Sequence, residues 1–241
     1  MRTLRNSLIA VGSLCLIFIL LQSASAATTE EVIEKIKKSQ AEMQSIEFDL
    51  KTVVKSPTLE PESTSHLAEE FVTKGGGAVV HHMYSKGGGK ILRSLTVDDG
   101  EFVWWELTSP GSRVVSVSKY PSRKVRVSKG RTTWPWSEAV DTINETIREF
   151  DLKVTGEDTL DGEQVWVLEG PAKAVPTDDD MGKVRMLVSQ NDCMARRVLI
   201  YDKDGKERMN TQFTNVKVNQ PIDPALFKYT PPEGAKVQDR T

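Results

Sequence analysis

Apolar and polar side chains alternate along most of the chain after residue 45. The clearest example is residues 46–55, where Ile46, Phe48 and Leu50 alternate with charged residues. This alternation predicts an antiparallel strand with one buried face and one face in water. With the similar segments that follow, separated by turns rich in glycine, asparagine and aspartate, it predicts about eleven strands. The intermediate strands are predicted at residues 70–73, 79–84, 90–97, 102–107, 113–118, 124–128, 152–154, 164–168, 183–189 and 196–201.

A helix is predicted just before the first strand, at residues 28–45. Thr28 and Glu31 have the spacing of a capping box, in which each side chain accepts a hydrogen bond from the other residue's backbone N–H. Val32, Ile36 and Met43 form an apolar stripe along one side. Such a stripe is typical of a helix that packs on a sheet.

A second helix is predicted at residues 137–150, in the middle of an otherwise β-rich region. The preceding sequence RTTWPW interrupts the strand pattern, and Ser137 is a suitable N-cap. Val140, Ile143 and Ile147 then recur at helical spacing and form a second apolar stripe.

The first 26 residues have the features of a secretory signal peptide. Two arginines precede an apolar run at residues 8–21, and Ala24 and Ala26 supply the small residues of a cleavage site. The run is shorter than the roughly 20 residues of a spanning helix. We therefore expect export to the periplasm and a single mature domain at residues 27–241; an uncleaved membrane anchor is the alternative.

The segment at residues 211–237 begins with an alternating strand, continues through a second short strand at Val216 and Val218, and ends in a proline-rich tail. Asp223 followed by Pro224 predicts a helix start, and a proline pair soon afterwards limits that helix to one turn, with Phe227 as its apolar anchor. The order of strand, NVKVN, a short turn with LF, and PPEGA resembles the closing segment of the periplasmic lipoprotein carrier superfamily, the LolA/LolB-like proteins.

The sequence KILRSLTVDDGEFVWWELTSPGSRVVSV resembles the central hairpin of the same family. There an arginine-bearing strand is followed by an acidic turn with glycine, a tryptophan strand and a proline loop. Family carriers have an inward arginine that holds the lid helices closed, and Arg93 is the nearest candidate by its position on the strand. Arg93 is in line with Ile91 and Leu95, which predicts that it shares their apolar face; a shifted register would leave it on the wet face.

The resemblance covers nearly the whole mature chain and implies a mainly β fold of the α+β kind. It implies a strongly curved antiparallel sheet forming an open half-barrel, with an N-terminal helix and a second, lid helix covering an apolar cavity. The family carries lipid-modified proteins between membranes and shields their acyl chains, whose burial contributes ~0.8 kcal/mol per methylene. The partners implied are an acylated lipoprotein or lipid cargo and a membrane-bound donor or acceptor protein.

The residues expected to line the cavity and its lid are apolar positions of the second helix and the facing strands, together with Arg93. They are Ile46, Phe48, Leu50, Ile91, Arg93, Leu95, Trp105, Val140, Ile143, Ile147, Val198, Ile200 and Phe213.

Composition and motifs favour a binding protein over an enzyme. The chain has 32 basic and 34 acidic residues, so it lacks the basic excess of a nucleic-acid-binding protein. The motifs of serine hydrolases, zinc proteases and dinucleotide-binding enzymes are absent from the sequence. We therefore expect a monomer that is not an enzyme and uses no metal or other cofactor. Cys193 remains as the one cysteine of the mature chain and forms no internal disulfide.

Two other classes of protein remain open. One is an envelope sensor of the same fold, which binds lipoprotein or lipid and signals to a membrane partner. The other is an envelope-assembly module whose interior is a filled core. The acidic loop at residues 178–180 departs from the shorter pattern of the family and is interpreted as solvated.

Overall fold

The computed structural model describes residues 27–55, 62–70, 79–87, 90–98, 102–108, 116–121, 127–128, 131–132, 138–173 and 181–239. Side chains are described for residues 27–55, 94–98, 102–108, 117–119, 143–173 and 181–239, and the backbone alone for the others.

The first helix, α1 (Thr29–Ala41), begins as the sequence predicts. The Thr28 side chain accepts from the Glu31 N–H at 3.2 Å, and the Glu31 carboxylate accepts from the Thr28 N–H at 2.9 Å. This confirms the capping box. The helix ends at Ala41, before the predicted residue 45, and Ser45 already belongs to the first strand.

The second helix, α2 (Glu138–Glu149), matches its prediction to within one residue at each end. Phe150 leaves the helix and forms an isolated antiparallel bridge with Ala172. A single 3₁₀ turn, η1 (Pro224–Phe227), occupies the predicted one-turn helix. The Asp223 carboxylate caps it by accepting from the Ala225 N–H at 2.9 Å.

The strands of the described chain are β1 (Ser45–Val54), β2 (Glu62–Glu70), β3 (Val79–Gly87), β4 (Lys90–Asp98), β5 (Phe102–Thr108), β6 (Ser116–Pro121), β7 (Val127–Ser128), β8 (Arg131–Thr132), β9 (Lys153–Leu160), β10 (Glu163–Pro171), β11 (Met181–Ser189), β12 (Ala195–Asp202), β13 (Glu207–Val218) and β14 (Lys236–Asp239).

Twelve of these strands form one sheet in the order β14-β6-β5-β4-β3-β2-β1-β13-β12-β11-β10-β9. Neighbouring strands are antiparallel except for β14 and β6, which are parallel. The first strand lies near the middle, between β2 and the late strand β13, and β9 and β14 form the two edges. The strands β7 and β8 pair only with each other. The mainly β fold with two α-helices and a large antiparallel sheet is confirmed.

Several strand predictions need correction. A strand was predicted at residues 70–73, whereas β2 ends at Glu70 and the residues after it lie outside the described part. Its polar sequence, ESTSHLAEE, lacks apolar alternation and is a strand because it pairs with β1 on one side and β3 on the other. Two strands were expected near the end of the chain, but β13 is one strand with a bulge at Asn215, whose φ is 53°.

The main core lies between the sheet and the two helices. Buried side chains of α1 and α2 pack in one cluster on those of five neighbouring strands, β1, β13, β12, β11 and β10. Its most deeply buried large members are Phe48, Phe150, Ile36, Ile46, Ile143, Leu168, Met186 and Met194.

The C-terminal segment covers part of the other face. Ile222 and Phe227 pack on Val97, with Leu95 and Trp104 around them, in a cluster separate from the main core. Phe48 pairs with position 67 of β2, position 67 pairs with position 81 of β3, and position 81 pairs with Thr96 of β4. Phe48 and Thr96 therefore belong to the same face of the sheet. Leu95 and Val97 therefore belong to the face opposite to Phe48, since successive side chains of a strand alternate.

Candidate functional site

The helix-covered face brings together most of the predicted binding residues. Leu50 of β1 pairs with Phe213 of β13, and the centroids of the Phe48 and Phe213 rings are 5.6 Å apart. From α2, Ile143 is fully buried and Ile147 packs against the same cluster. The predicted residues that share this cluster are Ile46, Phe48, Leu50, Ile143, Ile147, Val198, Ile200 and Phe213.

The C-terminal end of α2 is tied firmly to the sheet. The Asp151 N–H donates to the Pro171 carbonyl at 2.9 Å, and the Lys173 N–H donates to the Glu149 carbonyl at 2.8 Å. The Lys173 ammonium also donates to the Ile147 carbonyl at 3.2 Å, at the negative end of the helix. This end of α2 is therefore fixed against β10 while its apolar stripe lies over the sheet.

The remaining predicted residues do not join that cluster within the described part. Leu95 packs with Val97 and the C-terminal segment on the other face. Trp105, which pairs with Thr96, is 38% exposed. The side chains of Ile91, Arg93 and Val140 lie outside the described residues, as does the loop at residues 178–180. The prediction that Arg93 closes the lid therefore stays a prediction.

The C-terminal segment is held by an aromatic and charged contact with β5. The Tyr229 hydroxyl donates to the Glu106 carboxylate at 2.6 Å, and its ring lies 5.4 Å from that of Trp104. Burial raises the pKa of Tyr229, and the hydrogen bond and negative charge of Glu106 raise it further. The phenol therefore remains a proton donor at neutral pH.

A charged network that sequence reasoning missed lies at the turn between β11 and β12. The Arg196 side chain is 12% exposed. Two of its guanidinium nitrogens donate to the Glu163 carboxylate at 2.7 and 3.0 Å, and it also donates to Asp192 at 2.6 Å. Ser189 donates to the same Glu163 carboxylate. These residues belong to no local motif, because Glu163 and Arg196 lie on strands that are distant in the sequence.

The network fixes the ionisation of both groups. Burial alone would raise the pKa of Glu163, but the hydrogen bonds from Arg196 and Ser189 outweigh it and lower that pKa. Burial likewise opposes the charge on Arg196, yet the bonds to Asp192 and Glu163 raise its pKa. Both side chains are therefore charged at neutral pH.

Beside this network is a groove of about 360 Å³. It is lined by Leu160 and Asp161 at the turn from β9 to β10, by Glu163 and Arg196, and by residues 212–216 of β13. The five consecutive residues of β13 indicate that the groove runs along the backbone of that strand.

Among the described side chains, no group of three or more histidine, cysteine or acidic residues is placed to hold a metal ion. In the same part of the chain, neither helix is long and apolar enough to cross a membrane.

Comparison with known proteins identifies the fold. LprF from Mycobacterium bovis superimposes with a TM-score of 0.50 and 12% sequence identity, over 80% of this chain and 94% of that chain. The predicted resemblance to the LolA/LolB-like proteins is thereby confirmed at the level of the fold alone.

Two further solved structures have lower TM-scores. MucB in its complex with MucA from Pseudomonas aeruginosa has a TM-score of 0.46 and 13% identity, over 81% of this chain and 59% of that chain. The lipoprotein LppX of Mycobacterium tuberculosis has a TM-score of 0.41 and 10% identity, over 80% of this chain and 95% of that chain.

Comparison of sequences provides less information than comparison of structures. No family model matches the chain. An uncharacterized protein of Methanocaldococcus jannaschii, MJ0687, is 30% identical over 95 residues, which are 39% of this chain. The matching region spans only a quarter of the length of that protein.

Proposed function

We propose that this protein is an exported carrier that binds acylated lipoprotein or lipid beneath α2 and shields the acyl chains from water. The observation that carries the proposal is the large apolar surface that α1 and α2 cover on a sheet of the lipoprotein carrier fold. Apolar side chains beneath an amphipathic helix suit an alkyl ligand, because each buried methylene contributes ~0.8 kcal/mol.

Binding requires the covering helix to give way. Ile143, in the apolar stripe of α2, is completely buried, and the C-terminal end of the helix is fixed to β10 by backbone hydrogen bonds. The helix, held at its C-terminal end, pivots about that end as a lid. It thereby admits the ligand between its apolar stripe and β1. Export follows from the signal-peptide pattern of the first 26 residues, and no covalent chemistry is involved.

The test replaces Leu50, which lies in the helix-covered cluster and pairs with Phe213 on β13. If the helix-covered face takes up ligand, Leu50→Trp fills the space, so melting stays near normal while uptake of a fluorescent fatty acid is lost. If the interior is packed solid, the indole costs ~1–3 kcal/mol and lowers the melting temperature. Marked destabilisation with unchanged uptake would refute the proposal.

The matched control is Leu187→Trp, because Leu187 is equally apolar but lies in a separate small cluster with Val165 and Val167. Its uptake of the probe should equal that of the wild type. Native mass spectrometry of the periplasmic protein should show co-purifying lipid. Transfer of an acylated peptide to acceptor vesicles separates a carrier from a sensor, which would capture the peptide without passing it on.

A further inference from the structure

We propose that the groove beside β13 binds an extended peptide that carries a basic side chain and adds to the free edge of that strand. The site involves the backbone of β13, the turn from β9 to β10, and the Glu163–Arg196 network. The groove shares Phe213 and Val216 with the helix-covered cluster, but the turn from β9 to β10 and the Glu163–Arg196 network lie outside that cluster. It therefore represents a second binding function, for a protein segment instead of a lipid.

The first observation is that β13 extends beyond its neighbour. Pairing between β12 and β13 ends at Arg197 and Gln212, although β13 continues to Val218. On its other side, β13 remains paired with β1 up to Ile46 and Val218. Residues 213–218 therefore form a strand that has one paired edge and, among the described strands, one edge without a partner.

The second observation is the direction of the backbone groups on that edge. The Asn219 N–H donates to the Ser45 carbonyl, so the backbone of Asn219 points toward β1. Because the N–H and C=O of successive residues point to alternate sides, those of Val218 and Val216 point away from β1, and Val216 lines the groove. An extended peptide in the groove would form hydrogen bonds with these backbone groups, in the place that β12 occupies along the earlier part of β13.

The third observation is the bulge that separates the two parts of β13. Asn215 has a φ of 53°, and its side-chain amide donates to Asp49 at 2.6 Å. The bulge lies three residues beyond Gln212, the last residue of β13 that pairs with β12, and Asn215 is one of the residues that line the groove.

Charge selects the ligand. Asp161 and Glu163 line the groove together with Arg196, and Asp192 pairs with Arg196 beside it, so three carboxylates face one guanidinium. Arg196 is already occupied by two of these carboxylates, whereas Asp161 lies exposed at the turn. A lysine or arginine of the peptide would meet this excess of negative charge, and an acidic residue would be repelled.

The experiment uses two capped peptides, TVTKTVT and TVTETVT, which differ only in the central charge. Titration of the 15N-labelled mature protein should shift the amide signals of residues 213–218, with the lysine peptide binding about tenfold more tightly. Val216 and Val218 should also gain protection from hydrogen exchange. Shifts confined to another surface, or equal affinity for both peptides, would overturn the proposal.

N-methylated peptides test the pairing itself. Methyl groups on alternate amides of one edge should abolish binding, while methyl groups on the other edge should leave it unchanged, because a strand pairs through one edge only. Loss of binding with both, or with neither, would contradict addition to β13.

Asp161→Asn tests the charge without disturbing the turn, since asparagine tolerates the φ of 51° at this position. The preference for the lysine peptide should fall about threefold or more. Asp204→Asn, in the turn between β12 and β13, is the matched control and should leave the preference unchanged. Fatty-acid uptake is measured in parallel, so failure of peptide binding and failure of the lipid carrier proposal remain distinguishable.

Discussion

Two different kinds of element cover the two faces of this sheet. On the neighbouring strands β1, β13, β12, β11 and β10, one face is covered by α1 and α2, whose apolar stripes join a large continuous cluster. On β4 and β5, the opposite face is covered by the C-terminal segment, where Ile222 and Phe227 join a small cluster around Val97. Helices contribute an apolar side chain every three or four residues, whereas the proline-rich segment contributes a few separate anchors.

The difference shows how stability is distributed over the molecule. Phe48 and Phe150 are buried within dense packing between helix and sheet. The C-terminal segment instead depends on single contacts, among them the bond from Tyr229 to Glu106 and the four-residue strand β14, all of whose residues are exposed. We expect the helix-covered region to determine global unfolding, and the C-terminal segment to detach first.

The largest expected effect comes from exchanging phenylalanine for alanine in each region. Phe48→Ala should lower the free energy of unfolding by ~3–5 kcal/mol, because it leaves a cavity in the main core. Phe227→Ala should lower it by only ~1–2 kcal/mol, since the segment can detach while the rest stays folded. Urea denaturation measures both, and equal losses would contradict the division into two regions.

A smaller effect is expected at the charged network. Glu163→Gln should cost about 2 kcal/mol at pH 7, because it leaves Arg196 with one carboxylate fewer in a site that is largely shielded from water. Glu169→Gln is the control, since its ion pair with Arg185 is far more exposed and should contribute less than ~1 kcal/mol. Thermal melting of both variants gives the comparison, and equal losses would show that burial of the network is unimportant.

The same network predicts a pH dependence. The pKa of Glu163 is lowered in the folded state, so its contribution is fully present above the usual value of 4.5 and is lost as the pH falls through the lower, folded value. Between pH 7 and pH 3, wild-type protein should therefore lose more stability than Glu163→Gln does. Parallel pH profiles of the two proteins would contradict this.

The smallest expected effect concerns the C-terminal segment. Tyr229→Phe removes the hydrogen bond to Glu106 but keeps the ring on Trp104, and should cost about 1 kcal/mol. Faster amide exchange should appear in β14 and η1, with little change in α1. Uniformly faster exchange throughout the molecule would show that the segment is part of the main cooperative unit.

The sequence by itself determined the elements whose signals are local. The capping box of Thr28 and Glu31, the alternation of β1 and the Asp223–Pro224 start of η1 all appear as predicted. Eight of the thirteen predicted binding residues share one cluster because apolar periodicity identifies which side of an element is buried. Such periodicity reports burial for each element separately.

Only the tertiary structure decided which buried faces meet. Leu95 is apolar and in an alternating strand, yet the register across β2 and β3 assigns it to the face opposite to Phe48. Pairing also decided that polar β2 is a strand and that the tail ends as β14, parallel to β6. The groove beside residues 212–216 arises because β12 ends where β13 continues. Backbone hydrogen bonds between strands distant in sequence set these features, and side-chain identity encodes such pairing only weakly.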